Sequence, residues 1–298
     1  MAVVRFGLHF MDFTLPGEPA SIAPTIAATA KATEDAGGSW FTAMDHYFQM
    51  ERFRTAYDPM LEGYTLLGFA AAHTSRVRLG TLVTGVTYRH PGLLSKIVTT
   101  LDVLSSGRGM LGLGAAWYER EHDALGVPYP PLAERFERLE ETLRIALQMW
   151  DPAQEGPYVG RHYHLAETIS HPAPVSTPRP PIMIGGNGEQ KTLRLVAQYA
   201  DITNLTVNDP AEVAHKLDVL RRHCDRLGRD YDAIEKTVQG GTLDPLVDTD
   251  AFLSRMAELA ALGIEHVQLR NVAPDPAGWI TEFGEKVAPR LAEIEPAA

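Results

Sequence analysis

Eight short apolar runs, each followed by a longer segment whose apolar residues recur at helical spacing, divide this chain from end to end. Strands that alternate with helices in this way build a parallel sheet, because a parallel pair needs a crossover long enough to carry a helix. The runs are Val4 to Phe10, Trp40 to Asp45, Arg78 to Thr84, Gly109 to Gly114, Ile182 to Gly185, Ile202 to Leu205, Lys236 to Gln239 and His266 to Leu269. In the segments between them, Ile22, Ile26, Ala30 and Thr33 share one helical face; so do Leu94, Ile97, Leu101 and Leu104. Eight such units in 298 residues match one closed (β/α)8 barrel, an α/β fold spanning residues 1–298 as a single domain. A doubly wound open sheet is the alternative.

Three connections are longer than a barrel needs. Tyr47 to Glu62 and Tyr118 to Pro131 follow the second and fourth strands, which puts these insertions at the C-terminal face where barrel enzymes keep their sites. Asp151 to Arg179, rich in proline and aromatic residues, reads as an ordered excursion before the fifth strand. The tail Glu293 to Ala298 is expected to fray.

The net charge of -11 argues against nucleic acid or an anionic membrane as partner. No apolar run approaches the roughly 20 residues of a spanning helix, and the N-terminal MAVVRFGLHF lacks the pattern of a secretion signal, so a cytoplasmic location is expected. The single cysteine, Cys224, shares a helical face with Val213, Leu217 and Leu220 and reads as a buried thiol. One cysteine excludes an intrachain disulfide and a cysteine-based metal cluster. His162 and His164 have a metal-like H-x-H spacing, but no acidic cluster joins them, and no metal is assigned.

Chemistry concentrates at strand ends. Pro181 to Gly185 runs through Gly186, Asn187, Gly188 and Glu189 into an amphipathic segment, a strand, glycine loop and helix start where clustered backbone N–H groups attract phosphate. A glycine-bearing turn without a ligand has the same pattern. Asp45-His46 closes the second strand, and histidine can pass a proton near neutrality. Gly80 to Pro91 ends the third strand in small polar residues around Leu82, Val83 and Thr84. Gly114 and Ala115 end the fourth strand with room for a planar ring, and Tyr118, Glu119 and His122 add polar groups at the rim.

Taken together, Met44-Asp45-His46, the Gly80 to Pro91 run, Gly112 to Trp117, and Pro181 to Glu189 followed by Thr192-Leu193 resemble the luciferase-like monooxygenase superfamily, in particular its coenzyme F420-dependent oxidoreductase branch. The resemblance covers nearly the whole chain. It implies a flavin or deazaflavin at the C-terminal mouth, with the ring over the third strand and the phosphate near Gly185 to Gly188. It also implies a non-proline cis peptide at Leu82–Val83 and a proton-transferring His46 with Asp45 beside it. Tyr118 stands where many relatives carry asparagine. Arg52, Arg54 or Lys191 would meet the acidic tail of F420.

The function so implied is hydride transfer between F420 and a small organic substrate, in a homodimer. An FMN-dependent monooxygenase is the close rival. A metal-dependent barrel hydrolase and a cofactor carrier without turnover are readings from other classes.

Overall fold

The computed structural model describes residues 3–241, 243–270 and 273–297. Its strands are β1 (Arg5–Phe10), β2 (Trp40–Ala43), β3 (Arg78–Thr81), β4 (Thr84–Gly85), β5 (Leu111–Gly114), β6 (Tyr158–Val159), β7 (His164–Leu165), β8 (Ile182–Gly185), β9 (Ile202–Leu205), β10 (Glu235–Gln239) and β11 (His266–Arg270). Its helices are α1 (Ile22–Asp35), α2 (Gly63–Ala72), α3 (Pro91–Leu104), α4 (Glu119–Leu125), α5 (Leu132–Met149), α6 (Thr192–Tyr199), α7 (Pro210–Leu227), α8 (Thr249–Ala260), α9 (Pro276–Lys286) and α10 (Ala288–Leu291).

All strands but the β6–β7 hairpin lie in one parallel sheet ordered β3-β2-β1-β11-β10-β9-β8-β5-β4. The sheet closes on itself, because Leu79 of β3 accepts from the Met110 N–H at 2.9 Å and donates to the Arg108 carbonyl at 2.8 Å. The third strand of the barrel is therefore split. Its lower half, β3, meets the approach to β5, and its upper half, β4, pairs with β5 itself. Between them lies the Leu82–Val83 peptide, which is cis. An apolar run in the sequence carries no mark of such a break, so the expected continuous strand from Arg78 to Thr84 is interrupted at its most useful point.

Burial sorts the side chains into layers. The main core fills the space between sheet and helices and includes Leu8, Phe10, Phe41, Leu79, Leu113 and Ile184. A second cluster, Trp40, Leu82, Met110, Met183 and Ile202, is separate from it. His266 stacks on Trp40 with ring centroids 4.0 Å apart, and its Nε2 meets the Ser39 hydroxyl at 2.8 Å. Complete burial pushes the His266 imidazole well below its ordinary value.

The tail is paired rather than frayed. The Val4 N–H donates to the Ile294 carbonyl at 2.9 Å and the Ala297 N–H to the Ala260 carbonyl at 2.8 Å; Ala298 lies outside the described residues. The 151–179 excursion is ordered by carboxylates. Glu141 accepts from the Arg161, His162 and Tyr163 N–H groups, and Asp102, fully buried on α3, accepts from Val175, Ser176 and Gly109.

Two tests follow from this packing. A Cβ on Gly112 would lie 2.0 Å from the Thr81 carbonyl oxygen, a contact that backbone alone must relieve. Gly112→Ala is expected to lower the unfolding free energy by about 2 kcal/mol or more in urea melts, the scale of an overpacked core. His266 has a folded pKa below its unfolded one, so only the unfolded state gains its proton as pH drops, and stability falls with pH below about 6.5 at up to ~1.4 kcal/mol per unit for this one group. In matched urea melts from pH 7 to pH 5, His266→Gln should show a shallower pH slope than the native chain; parallel slopes would refute the assignment.

Candidate active site

The C-terminal ends of the strands open into a cavity of about 650 Å³, a size suited to a cofactor together with a small substrate. Asp45, His46, Leu82, Val83, Thr84, Gly114, Ala115, Gly185, Gly186 and Gly188 all line it. The chain thus brings together ten of the fifteen residues that the sequence singled out, from the ends of four strands, β2, β3, β5 and β8.

Val83 explains why the wall is rich in glycine. A Cβ on Gly114 would lie 2.8 Å from one Val83 methyl, and one on Gly185 would lie 3.0 Å from the other. The space those glycines leave open is filled by Val83 from the neighbouring strand, which raises a ledge in the middle of the mouth. Leu82 lines the same cavity and packs downward against Trp40 and Met110.

His46 is held by a carboxylate that lies wholly inside the protein. Its Nδ1 is 2.8 Å from Oε2 of Glu121, on α4. The Tyr88 hydroxyl donates to that same oxygen, while the Tyr47 and Phe48 N–H groups donate to Oε1. Burial alone would raise the Glu121 carboxyl, but the His46 contact and the donors around it outweigh burial and hold it below the ordinary glutamate value. An ionised carboxylate at Nδ1 makes that nitrogen the donor and leaves Nε2 without a protein partner among the described residues. Trp117 and Tyr118 contact the imidazole edge to face, with centroids 5.3 and 5.7 Å away, and restrict its rotation.

Asp45 sits one residue earlier and faces different partners. Its Oδ2 accepts from Arg89 at 2.7 Å and from the Gly85 N–H at 3.2 Å, and its Oδ1 is buried without a partner. Burial outweighs the Arg89 contact and pushes the Asp45 carboxyl up to about 6. Arg89 also pairs with Glu62, the N-cap of α2, and packs 4.8 Å over the Tyr64 ring. His9, deeper in the cavity, bonds the Thr42 hydroxyl at 3.0 Å. Burial first, then the positive field of Arg270 and of His46, pushes its pKa down to about 3, so it is a neutral imidazole near pH 7.

The glycine loop has the form of an anion cradle. Gly186 adopts φ +126°, a backbone that side-chain-bearing residues rarely take, and a Cβ on Gly188 would lie 2.7 Å from the Thr192 hydroxyl. Helix α6 starts at Thr192 with no side chain capping it, and Thr192 lines the cavity. The Leu193 N–H donates to the Gly188 carbonyl at 2.9 Å, and the other N–H groups of a helix start without a side-chain cap supply donors and a positive dipole end for a phosphate. Asn204, also on the wall, has a buried Oδ1 without a partner. The cradle, the unpartnered acceptors of Asp45 and Asn204, and the volume fit a phosphate-bearing planar cofactor.

Five expected residues lie off the wall. Of those expected at the rim, Glu119 does not line the cavity and His122 is buried, its ring between the Thr87 hydroxyl at 2.6 Å and the Tyr118 carbonyl at 2.8 Å. Tyr118 turns away, its hydroxyl donating to Glu51 at 2.6 Å and its ring packing with Met11, Met44 and Met50; its neighbour Trp117 faces the cavity instead. Asn187 ties its loop to the next one, accepting from the Thr206 N–H at 3.0 Å. Glu189 points to α7, where it meets His215 at 2.9 Å and Lys216. Of the cations proposed for an acidic tail, Arg54 is spent on Asp12 at 2.6 Å and Lys191 lies 5.3 Å over the Phe136 ring, while Arg52 lines the cavity. Sequence reasoning missed Glu121, Tyr88, Arg89 and Arg270 as site residues. Nothing in the local sequence marked Glu121, which lies in the charged run Glu119-Arg120-Glu121-His122-Asp123, or Arg89, which lies between Tyr88 and His90.

No group of three or more His, Cys, Asp or Glu side chains is placed to hold a metal ion among the described residues, and none of the described helices is long and apolar enough to cross a membrane. His162 is engaged instead by Glu137 at 2.7 Å.

Comparison with known proteins bears on the family and the fold. The F420-dependent glucose-6-phosphate dehydrogenase of Microbacterium testaceum is 27% identical over 76% of this chain and 81% of its own length. The coenzyme F420-dependent tetrahydromethanopterin reductase of Methanopyrus kandleri superposes with a TM-score of 0.78 at 18% identity, over 97% of this chain and 100% of that one. The oxygenating constituent of 3,6-diketocamphane monooxygenase of Pseudomonas putida, solved in complex with FMN, superposes with a TM-score of 0.73 at 16% identity, over 97% and 99%. The latter two share the fold. A profile of the luciferase-like monooxygenases matches residues 5–243, four-fifths of the sequence, and the chain belongs to that family.

Proposed function

We propose that this protein is an F420-dependent oxidoreductase acting on a small organic substrate at the C-terminal mouth of the barrel. The observation that carries the reading is the Glu121–His46 pair, which presents one imidazole nitrogen to a cavity that also holds a phosphate cradle. The F420-dependent relatives favour the deazaflavin over FMN.

F420, when bound, supplies or accepts a hydride. The Gly186 to Thr192 loop would hold its phosphate and the Val83 ledge would support its ring. His46 moves a proton at Nε2, to or from the substrate oxygen that gains or loses charge as hydride passes. Glu121 fixes the imidazole orientation and stabilises its protonated form, as a carboxylate behind histidine does in other general acid–base sites. Met11, Met44 and Met50 line the same mouth and exclude water from it.

Titration of the cofactor-free protein with F420 and, separately, with FMN, read by the emission of Trp117 on the cavity wall, should show saturable F420 binding at low micromolar concentration and much weaker FMN binding. The reverse order would make the protein an FMN-dependent monooxygenase. His46→Ala is expected to lower kcat by about 10²- to 10⁴-fold, the usual share of general acid–base catalysis, while the Kd for F420 changes less than about threefold. Glu121→Gln, which sets an amide NH2 against groups that donate, should lower kcat and raise KM together; equal losses of turnover and cofactor affinity in His46→Ala would make His46 a binding residue.

A further inference from the structure

Two arginines on the cavity wall have no carboxylate partner among the described residues. Arg52 lies in the loop after β2 and Arg270 ends β11, yet both line the cavity and both guanidinium groups approach the Phe53 ring, 4.8 and 5.8 Å from its centroid. Arg52 also covers Trp117 at 5.1 Å. Among the described residues neither makes an ion pair or a side-chain hydrogen bond. The acidic groups around them are spent elsewhere. Glu51 takes the Tyr118 hydroxyl and Arg120, Asp12 takes Arg54, and Asp45 and Glu62 share Arg89.

Arg270 is half-buried and Arg52, exposed at the rim, has the same sign, so burial and the neighbouring charge both hold the Arg270 guanidinium below its ordinary value. In a chain with a net charge of -11 there is no shortage of carboxylates to neutralise a stray pair of cations, and at this corner none does. An anion between two guanidinium groups turns one repulsion into two charge-assisted contacts, and the planar fork of arginine matches carboxylate and phosphate oxygens in pairs.

Position separates this corner from the phosphate cradle. The cradle follows β8, whereas Arg270 ends β11, with β9 and β10 between them in the sheet. Arg270 and His46 both bear on the buried His9, so the two arginines share the His46 side of the cavity. We infer that the substrate carries an anionic group, a carboxylate or a phosphate, which Arg52 and Arg270 hold so that its reacting carbon lies beside His46. The inference rests on the oxidoreductase reading for the word substrate; the anion site itself stands on the arginine pair.

The test uses succinate and inorganic phosphate as probes, titrated into protein saturated with F420 and followed by calorimetry, with tryptophan emission compared between the native protein and Trp117→Phe. Saturable binding of at least one probe is expected, weakened tenfold or more in Arg270→Gln and in Arg52→Gln, partly retained in Arg270→Lys, and absent for the neutral succinamide. The F420 Kd should stay within twofold in all three variants, whose folding is checked by their melts. Failure of both probes to bind the native protein would overturn the inference. So would variants that lose F420 affinity instead of probe affinity, since the pair would then hold the acidic tail of the cofactor. If the native protein binds neither F420 nor FMN, the proposed function falls, and the same probes titrated into the cofactor-free variants still decide whether the arginines form an anion site.

Discussion

A single buried carboxylate holds the mouth of this barrel together. Glu121 is fully enclosed, and four donors converge on it: the His46 ring, the Tyr88 hydroxyl and the Tyr47 and Phe48 backbone N–H groups. These come from the loop after β2 and from the turn after β4, while Glu121 itself rides on α4 after β5. Three successive connections of the barrel are thus tied at one point. Placing a charge there carries a desolvation penalty of several kcal/mol, which only a nearly complete set of hydrogen bonds can offset. The same completeness makes the knot specific, because a rotated His46 or a shifted loop would leave a donor or an oxygen unsatisfied.

The device recurs at other connections of the barrel, short and long. Glu34 on α1 accepts from the Ser75, Arg76 and Val77 N–H groups and is held down to about 2, since these bonds outweigh the burial that opposes them. Asp102 and Glu141 do the same for the 151–179 excursion. Loops carry backbone donors that no sheet or helix satisfies, and a carboxylate projecting from a regular element collects two or three of them at once. The excursion so fixed contributes no residue to the cavity. Its role in this structure is to cover α3 and α5, with Tyr163 against His90 and Leu165 near Gly92.

Periodicity made the barrel legible. The short apolar runs became strands within a residue or two at most ends, because burial on both faces demands apolar side chains wherever they fall in the sequence. The site was legible to the extent that backbone chemistry defines it. Gly185, Gly186 and Gly188 stand where a strand turns into an uncapped helix, and Asp45-His46 where a strand ends. What escaped the sequence depends on direction. Asn187 and Glu189 sit within the glycine loop, but their side chains answer to Thr206 and α7, and nothing local distinguishes a residue whose backbone faces a ligand from one whose side chain does. Tyr118 and Trp117 are adjacent, and only the packing of Tyr118 against three methionines decides which of the two reaches the cavity. The cis peptide at Leu82–Val83 was implied by family resemblance and has no signature in hydrophobic pattern.

The chain also divides its charges by depth. Behind the wall Arg89 is paired with Asp45 and Glu62, so that its field is largely cancelled within the protein, while Arg135 spends its guanidinium on the Ala115 and Ala116 carbonyls. His9, which no carboxylate pairs, is instead driven neutral by burial and by the cations around it. The positive charge left uncompensated at the mouth is therefore that of Arg52 and Arg270, with the unspent dipole of α6 on the far side. An acidic surface repels anions over most of its area, so two separated positive places within one cavity define where anionic groups can rest and how far apart. A cofactor phosphate at one and an anionic substrate at the other would place the reacting atoms between them, over the Val83 ledge and within reach of His46.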